Sequence, residues 1–187
     1  MGSPIRTVTD TGRTKALPFR IASRPPVPFL LYSAHHVFQQ TNATPGLISE
    51  GTGGLTELIK GRVLLPHNGS WRRLVWVTRH ELAHSYMLEK LGQVMKAHRR
   101  TQNHMPPLWF IEGLAEFCGT TWDEDAEGLM RDAVLTRQAL PVTRSEPIFR
   151  TVLMYKEGQS FLLYLAERYG PEKVFDLLDN WWRADDF

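Results

Sequence analysis

The chain has 187 residues, which is enough for one domain with a sizeable hydrophobic core. Its hydrophobic fraction of 42% and charged fraction of 22% are typical of a globular protein. The formal net charge of +2 is too small to indicate a protein that binds nucleic acid or docks on an anionic membrane surface. The single cysteine, Cys118, excludes a disulfide within the chain. We therefore expect a globular domain with no nucleic-acid partner.

The chain carries no sequence signal for a compartment. Its N-terminal residues lack the apolar segment of a signal peptide, and no apolar run is long enough to span a membrane. The cytoplasm is then the default expectation, and the alternative is a domain excised from a secreted or anchored protein.

The first third of the sequence predicts a small sheet that follows a loose arm. Residues 1–16 are polar and rich in Thr and Arg, which is typical of a loose N-terminal arm. Residues 17–66 are strand-like and are interrupted by Pro and Gly, which predicts a small mixed sheet. Its strands are predicted at 18–22, 27–32, about 55–59 and 62–65, with a short helix over 34–40.

A glycine-rich stretch, residues 51–54, leads into the third predicted strand. The segment from Gly54 and Leu55 onward has the character of a sheet edge, to which the backbone of a peptide substrate can add as a further strand. An ordinary edge blunted by glycines explains the same residues equally well. Gly54 and Leu55 are therefore candidate substrate-binding residues.

The sequence after residue 70 is helical nearly to its end, which predicts a helical subdomain over 70–187. Ser70 is a good N-cap, and Gly92 is placed to end the helix that follows it. The predicted helices are Trp71 to about Leu91, Leu108–Phe117 with proline at its first position, one from Asp123 to Leu140, one ending at Arg168, and one after Gly170-Pro171.

The sequence His80-Glu81-Leu82-Ala83-His84 lies inside the first of these helices. Histidines four residues apart share a helix face, so both imidazoles can reach one Zn²⁺ at about 2.0–2.1 Å. Glu81, next to the first histidine, can act as a base on a water molecule at such a metal. Taken alone, the motif is also compatible with a solvated histidine pair or with histidines satisfied in a core.

A catalytic zinc site needs a third protein ligand. The extended motif HExxHxxGxxH cannot supply it, because Met87 and Lys90 stand at its glycine and histidine positions. The next helix carries Glu112 and Glu116 on one face, and two carboxylates on a mostly apolar helix are costly unless they are paired or bind metal. A later glutamate can thus be the third ligand, and its neighbour can accept the free N–H of a zinc-bound histidine. A solvated helix face is the alternative.

HELAH followed by LWFIEGLAEF resembles the gluzincin metallopeptidases, in which HExxH precedes a Trp-x-x-Glu-Gly-x-Ala segment. The aminopeptidase N branch and the bacterial peptidase MA-like domains share that second segment. The resemblance implies that Glu112 is the third ligand, which leaves Glu116 to accept the free N–H of a zinc-bound histidine and fix its orientation. A third block is similar to the Tyr-x-Lys-Gly block of the aminopeptidase N branch, whose tyrosine donates its hydroxyl to the oxyanion. Here Tyr155 and Gly158 align, but the lysine is displaced to Lys156.

The resemblance covers roughly residues 50 to 182 and implies one metallopeptidase domain over residues 1–187. The implied fold is α+β, a thermolysin-like zincin, with the zinc cleft between a small mixed sheet and the helices. The implied activity is hydrolysis of peptide bonds in a peptide or protein substrate by a metal-activated water, with one Zn²⁺ per chain. The alternatives are a catalytically silent zincin-fold binding or structural module, and a helical domain with no metal. The intact base Glu81 argues against the silent module.

Overall fold

The structure of the chain is a computed structural model that describes residues 5–8, 14–17, 26–57, 60–98 and 105–183. Within these ranges a small three-stranded sheet precedes a mostly helical region, and six α-helices are present. The predicted mixed architecture, a small sheet followed by helices, is confirmed at this level.

The sheet consists of β3 (Phe29–Tyr32), β4 (Leu55–Thr56) and β5 (Val63–Pro66). Their order is β3-β5-β4, with β3 parallel to β5 and β4 antiparallel to it, so the sheet is mixed as predicted. The central strand β5 buries Val63 and the two leucines that follow it, which is typical of a strand covered on both faces. The predicted strand at 18–22, and residues 58–59 of the third predicted strand, lie outside the described residues.

Two short strands lie within and just beyond residues 1–16, where a loose N-terminal arm is expected. There β1 (Ile5–Val8) pairs antiparallel with β2 (Thr14–Leu17). Ile, Val and Thr are β-branched residues that favour strands, and the polar composition of this segment masked that preference.

The helix α2 (Trp71–Ala97) carries the HELAH motif and begins at the predicted cap, because the Ser70 hydroxyl accepts a hydrogen bond from Arg73 N at 3.2 Å. Its predicted end at Leu91 is wrong, since Gly92 lies inside the helix. A glycine there costs about 1 kcal/mol relative to alanine. Burial of Leu91 and Val94 on either side of it, at about 1.5–3 kcal/mol for a full side chain, outweighs that cost.

Four further helices follow the motif helix, and a short helix, α1 (His35–Gln39), precedes it. The later helices are α3 (Leu108–Gly119), α4 (Glu124–Leu135), α5 (Val152–Tyr169) and α6 (Pro171–Asn180). Asp123 and Thr151 cap α4 and α5 with their side chains. Pro107 is the N-cap residue of α3 rather than its first helical residue, and α4 ends before the predicted Leu140.

The hydrophobic core lies among α2, α3, α5 and α6, on the side of α2 away from the sheet. Each of these helices contributes fully buried apolar side chains, including Met87, Leu91, Phe110, Leu114, Leu162 and Leu178. Cys118 packs against this core with a free thiol whose pKa burial raises. None of the described helices has both the length and the apolar character that a membrane crossing needs.

Glycines let three helices approach each other at backbone distance. A Cβ on Gly113 of α3 would lie 2.6 Å from the carbonyl carbon of Gly158 on α5. A Cβ on Gly119, at the end of α3, would lie 2.7 Å from the backbone nitrogen of His80 on α2. Real Cβ atoms essentially never come this close to another heavy atom, so the absence of a side chain at each position allows α3 to lie this close to its neighbours.

We predict that Gly113→Ala lowers the free energy of unfolding by about 1–3 kcal/mol, because overpacking here meets backbone that cannot rotate away. Gly128→Ala is the matched control. Gly128 is an exposed glycine inside α4 with no heavy atom near its missing Cβ, and we expect alanine there to add about 0.4–1 kcal/mol. Urea denaturation measures both. Equal effects of the two substitutions would contradict the close α3–α5 contact.

Candidate metal centre

Three side chains from two helices bring one potential ligand atom each to a common point. His80 and His84 lie one turn apart on α2, and Glu112 lies on α3. The Nε2 atoms of the two histidines are 3.1 Å apart. Glu112 Oε2 lies 3.2 Å from the Nε2 of His84 and 3.3 Å from that of His80. The predicted ligand set therefore forms a group that could bind a metal ion.

The size of this triangle fits a tetrahedral ion. Ligands that are each about 2.0–2.1 Å from a tetrahedral zinc ion lie about 3.3–3.4 Å from one another. The observed separations of 3.1–3.3 Å fall just below that value, so only small movements would seat an ion. The three side chains are 12–15% exposed, so the triangle is not sealed from solvent, which a site with an open position for water requires.

The electrostatics of the triangle favour a positive charge between its members. Burial alone would lower the pKa of His80, but the carboxylates of Glu112 and Glu116, with Glu81 nearby, outweigh it and raise that pKa to about 10. Burial alone would raise the pKa of Glu112, but its hydrogen bonds with His80 and His84 lower it to about 2. A proton or a metal ion can supply the positive charge that these groups stabilise.

Glu116 lies directly behind His80, on the side away from the triangle. Its Oε1 is 2.9 Å from His80 Nδ1, so the imidazole donates from Nδ1 and presents Nε2 to Glu112 and His84. A carboxylate in this position fixes the tautomer and the ring orientation of a metal-binding histidine. The four-residue spacing of Glu112 and Glu116 on α3 thus brings one carboxylate to each nitrogen of the same imidazole.

A buried polar network holds Glu116 in turn. Its Oε2 accepts a hydrogen bond from Lys156 Nζ at 2.6 Å and lies 3.0 Å from the hydroxyl of Thr120. Gln159 donates to the backbone carbonyl of Glu116 and to Thr120. Burial alone would raise the pKa of Glu116, but His80 and Lys156 lower it to about 2, so the carboxylate is anionic.

Glu81 lies on the neighbouring face of α2, about 100° around the helix from His80, and its side chain contacts the sheet. The Thr56 hydroxyl on β4 donates to Glu81 Oε2 at 2.6 Å. Gly54, just before β4, lies against the same side chain, because a Cβ there would be 2.9 Å from Glu81 Cγ. The side chain of Glu81 is therefore buried and fixed by the sheet, while the neighbouring His80 is fixed by the helices.

Tyr155 lies on α5 beside the triangle, with its ring centroid 6.3 Å from that of His80. Burial raises the pKa of its hydroxyl, and the charge of Glu112 contributes to a value of about 12. The phenol is therefore neutral near pH 7 and can act as a hydrogen-bond donor. Among the described residues no partner takes that hydrogen bond, which leaves the hydroxyl available to a bound molecule.

The candidate substrate-binding residues lie at the edge of the sheet. Leu55 begins β4, which occupies one end of the strand order, and Gly54 immediately precedes it. A cavity of about 200 Å³ lies beside this segment, with Gly53 and Val77 in its wall. Val77, one turn before Glu81 on α2, is the wall residue nearest in sequence to the motif, and neither Glu81 nor a residue of the triangle lines this cavity.

Two residues that fix the site through their side chains were not predicted from the sequence. Thr56 and Gln159 carry no motif, and their role depends on side-chain contacts made across 25 and 43 residues of sequence. Lys156 could be noticed in the sequence, because it is the displaced lysine of the Tyr-x-Lys-Gly block. The spacing of that block does not show which residue the lysine side chain contacts.

Comparisons of the chain with protein-family models, with curated proteins and with solved structures returned no match. A functional assignment therefore rests on the geometry of the site and on the three sequence motifs.

We predict that His84→Ala and Glu112→Ala each reduce the bound metal from about one ion per chain to near zero, because two ligands do not hold zinc at a catalytic site. Elemental analysis of protein purified without a metal-affinity resin measures this. His36→Ala, an exposed histidine on α1, is the control and should keep its metal. Unchanged metal content in both ligand variants would show that the ligand set is wrong.

Proposed function

We propose that the chain is a zinc-dependent peptidase of the gluzincin type, with a zincin fold. The observation that carries the proposal is the triangle of His80, His84 and Glu112 ligand atoms at 3.1–3.3 Å, with the carboxylate of Glu81 adjacent to it in sequence and on the neighbouring face of α2. A divalent ion with an open position next to a general base is the arrangement that metal-assisted hydrolysis requires.

A zinc ion held by the triangle would supply Lewis acidity, which activates water and polarises a carbonyl. Glu81 is the base: it takes a proton from the attacking water and delivers it to the leaving amine. The Thr56 hydroxyl fixes the Glu81 carboxylate, so the proton acceptor is held in one orientation before substrate arrives. A mechanism of this kind needs no covalent intermediate with the protein.

Tyr155, on α5, would support the same reaction from the helical side of the triangle. Its neutral hydroxyl can donate to the oxygen of the scissile carbonyl as negative charge develops there. The edge strand β4 lies on the opposite side, where an extended peptide can add to the sheet at Leu55. The cavity beside Gly53 offers space for one side chain of such a peptide.

We predict that Glu81→Gln retains zinc but lowers kcat for peptide hydrolysis by about 10²–10⁴-fold, because glutamine cannot accept the proton. Cleavage of a peptide library and metal content are measured on the same sample. Glu167→Gln, an exposed residue of α5, is the control and should keep full activity. Wild-type turnover in Glu81→Gln would rule out the mechanism. A wild-type protein that holds zinc yet cleaves nothing in the library would instead be a silent module.

We predict that Tyr155→Phe lowers kcat by about 10²–10³-fold with little change in KM, because the hydroxyl acts on charge that appears only in the transition state. Steady-state kinetics on one cleaved peptide separates the two constants. Tyr164→Phe removes an exposed hydroxyl from the same helix and serves as the control. A rise in KM at constant kcat would assign Tyr155 to substrate binding instead.

A further inference from the structure

Lys156 is the one buried cationic side chain among the described residues, with 6% of its surface exposed. The mechanism above does not use it. It lies on α5, one residue after Tyr155, where the displaced lysine of the third motif stands. Burial of a lysine is costly unless the ammonium finds fixed partners, so its contacts indicate why it is there.

The contacts of Lys156 converge on Glu116. Nζ donates to Glu116 Oε2 at 2.6 Å, while the other oxygen of that carboxylate faces His80 Nδ1 at 2.9 Å. Each oxygen of Glu116 thus has its own charged or polarised partner on a different helix. Two such bonds fix both the position and the plane of a carboxylate.

Lys156 is itself held from two more sides. Its ammonium donates to Gln159 Oε1 at 2.9 Å and lies 5.6 Å from the centroid of the Trp76 ring, at cation–π distance. Trp76 is one turn before His80 on α2, so the helix that carries the histidines also contacts the ammonium. These contacts leave the long lysine side chain little rotational freedom. A side chain that positions another residue must itself be fixed in this way.

Resting on the proposed metal site, we propose that Lys156 is a positioning residue of the metal centre. It anchors Glu116, Glu116 holds the Nδ1–H of His80, and His80 Nε2 is thereby directed at the metal position. The effect of Lys156 on metal binding passes through Glu116.

A purely electrostatic role for Lys156 makes the opposite prediction. The site contains the carboxylates of Glu81, Glu112 and Glu116, which attract a divalent cation, whereas an ammonium repels it. If Lys156 acted only as a charge, its removal would tighten metal binding. If it positions Glu116, its removal weakens metal binding. The sign of the change in affinity therefore distinguishes the two roles.

The experiment uses the full chain, stripped with a chelator, and measures the Kd for Zn²⁺ by competition with a chromophoric chelator. Lys156→Met should weaken binding by about 10–100-fold, the usual effect of losing a group that orients a metal ligand. In a Glu116→Gln background, Lys156→Met should cause no further loss. The absorption spectrum of bound Co²⁺ should change in Lys156→Met, because the His80 ligand is displaced.

Lys90→Met is the matched control. Lys90 lies on the same helix as the histidines and pairs with Asp179 of α6 at 2.7 Å, so its loss breaks an ion pair between helices away from the metal position. Its Zn²⁺ affinity and Co²⁺ spectrum should equal those of the wild type, whatever the change in unfolding free energy.

Unchanged or tighter Zn²⁺ binding by Lys156→Met would overturn the inference. It would also be overturned if Lys156→Met weakened Zn²⁺ binding as much in the Glu116→Gln background as in the wild type. If Lys156→Met does not fold, the comparison is made between Glu116→Gln and the double variant, in which no buried charge is left unpaired. Equal Kd values for Zn²⁺ in these two variants support an effect of Lys156 that passes through Glu116. Different Kd values overturn it. If the wild-type chain takes up no zinc, the proposed metal site is wrong. If the wild type binds zinc and Lys156→Met binds it equally well, only the role of Lys156 is wrong.

Discussion

The buried carboxylate of Glu116 is the constraint on which the arrangement of the helices depends. It contacts His80 on α2 and Lys156 on α5 from its own position on α3, so three helices meet at one charged group. An ionised carboxylate that is 6% exposed is tolerated only when it is paired and hydrogen-bonded. Any shift of α2 or α5 relative to α3 would leave it short of a partner. Its hydrogen bonds therefore set the relative positions of the helices that carry the ligand triangle.

The glycines of α3 make this meeting possible. Gly119 lets the end of α3 reach the backbone of α2 at His80, and Gly113 faces Gly158 at backbone distance from α5. Helix axes are usually about 8–10 Å apart, which is long compared with a glutamate side chain. The close approach at Gly119 brings α3 near enough to α2 for Glu112 and Glu116 to contact the two nitrogens of the His80 imidazole. The glycine that follows Glu112 in the motif thus has a packing role, in addition to marking the family resemblance.

The local part of the site could be predicted from the sequence, and the non-local part could not. The spacing of His80 and His84 fixes their common helix face, since helical periodicity is a short-range property. Glu112 was identified as the third ligand through the family resemblance. No spacing rule relates it to His84, which lies 28 residues earlier on another helix. Thr56 and Gln159 were missed because a hydroxyl or an amide gains its role only from the fold around it. The end of α2 was missed for a related reason, since core burial beyond Gly92 overrides the local signal of glycine.

The two functional halves of the site are fixed by different parts of the fold. The ligand triangle belongs to α2 and α3 and is held from behind by α5, whereas Glu81 turns the other way and is fixed by Thr56 on the edge strand β4. Adjacent residues on a helix are about 100° apart, so His80 and Glu81 necessarily face different neighbours. The helices therefore hold the three potential ligands, while the orientation of Glu81, the base of the proposed mechanism, depends on the sheet edge. Because Leu55 and Thr56 belong to the same two-residue strand, a peptide that paired with β4 would lie directly against the strand that orients the proton acceptor. In the proposed mechanism, the placement of the peptide and the orientation of Glu81 would therefore be coupled through β4.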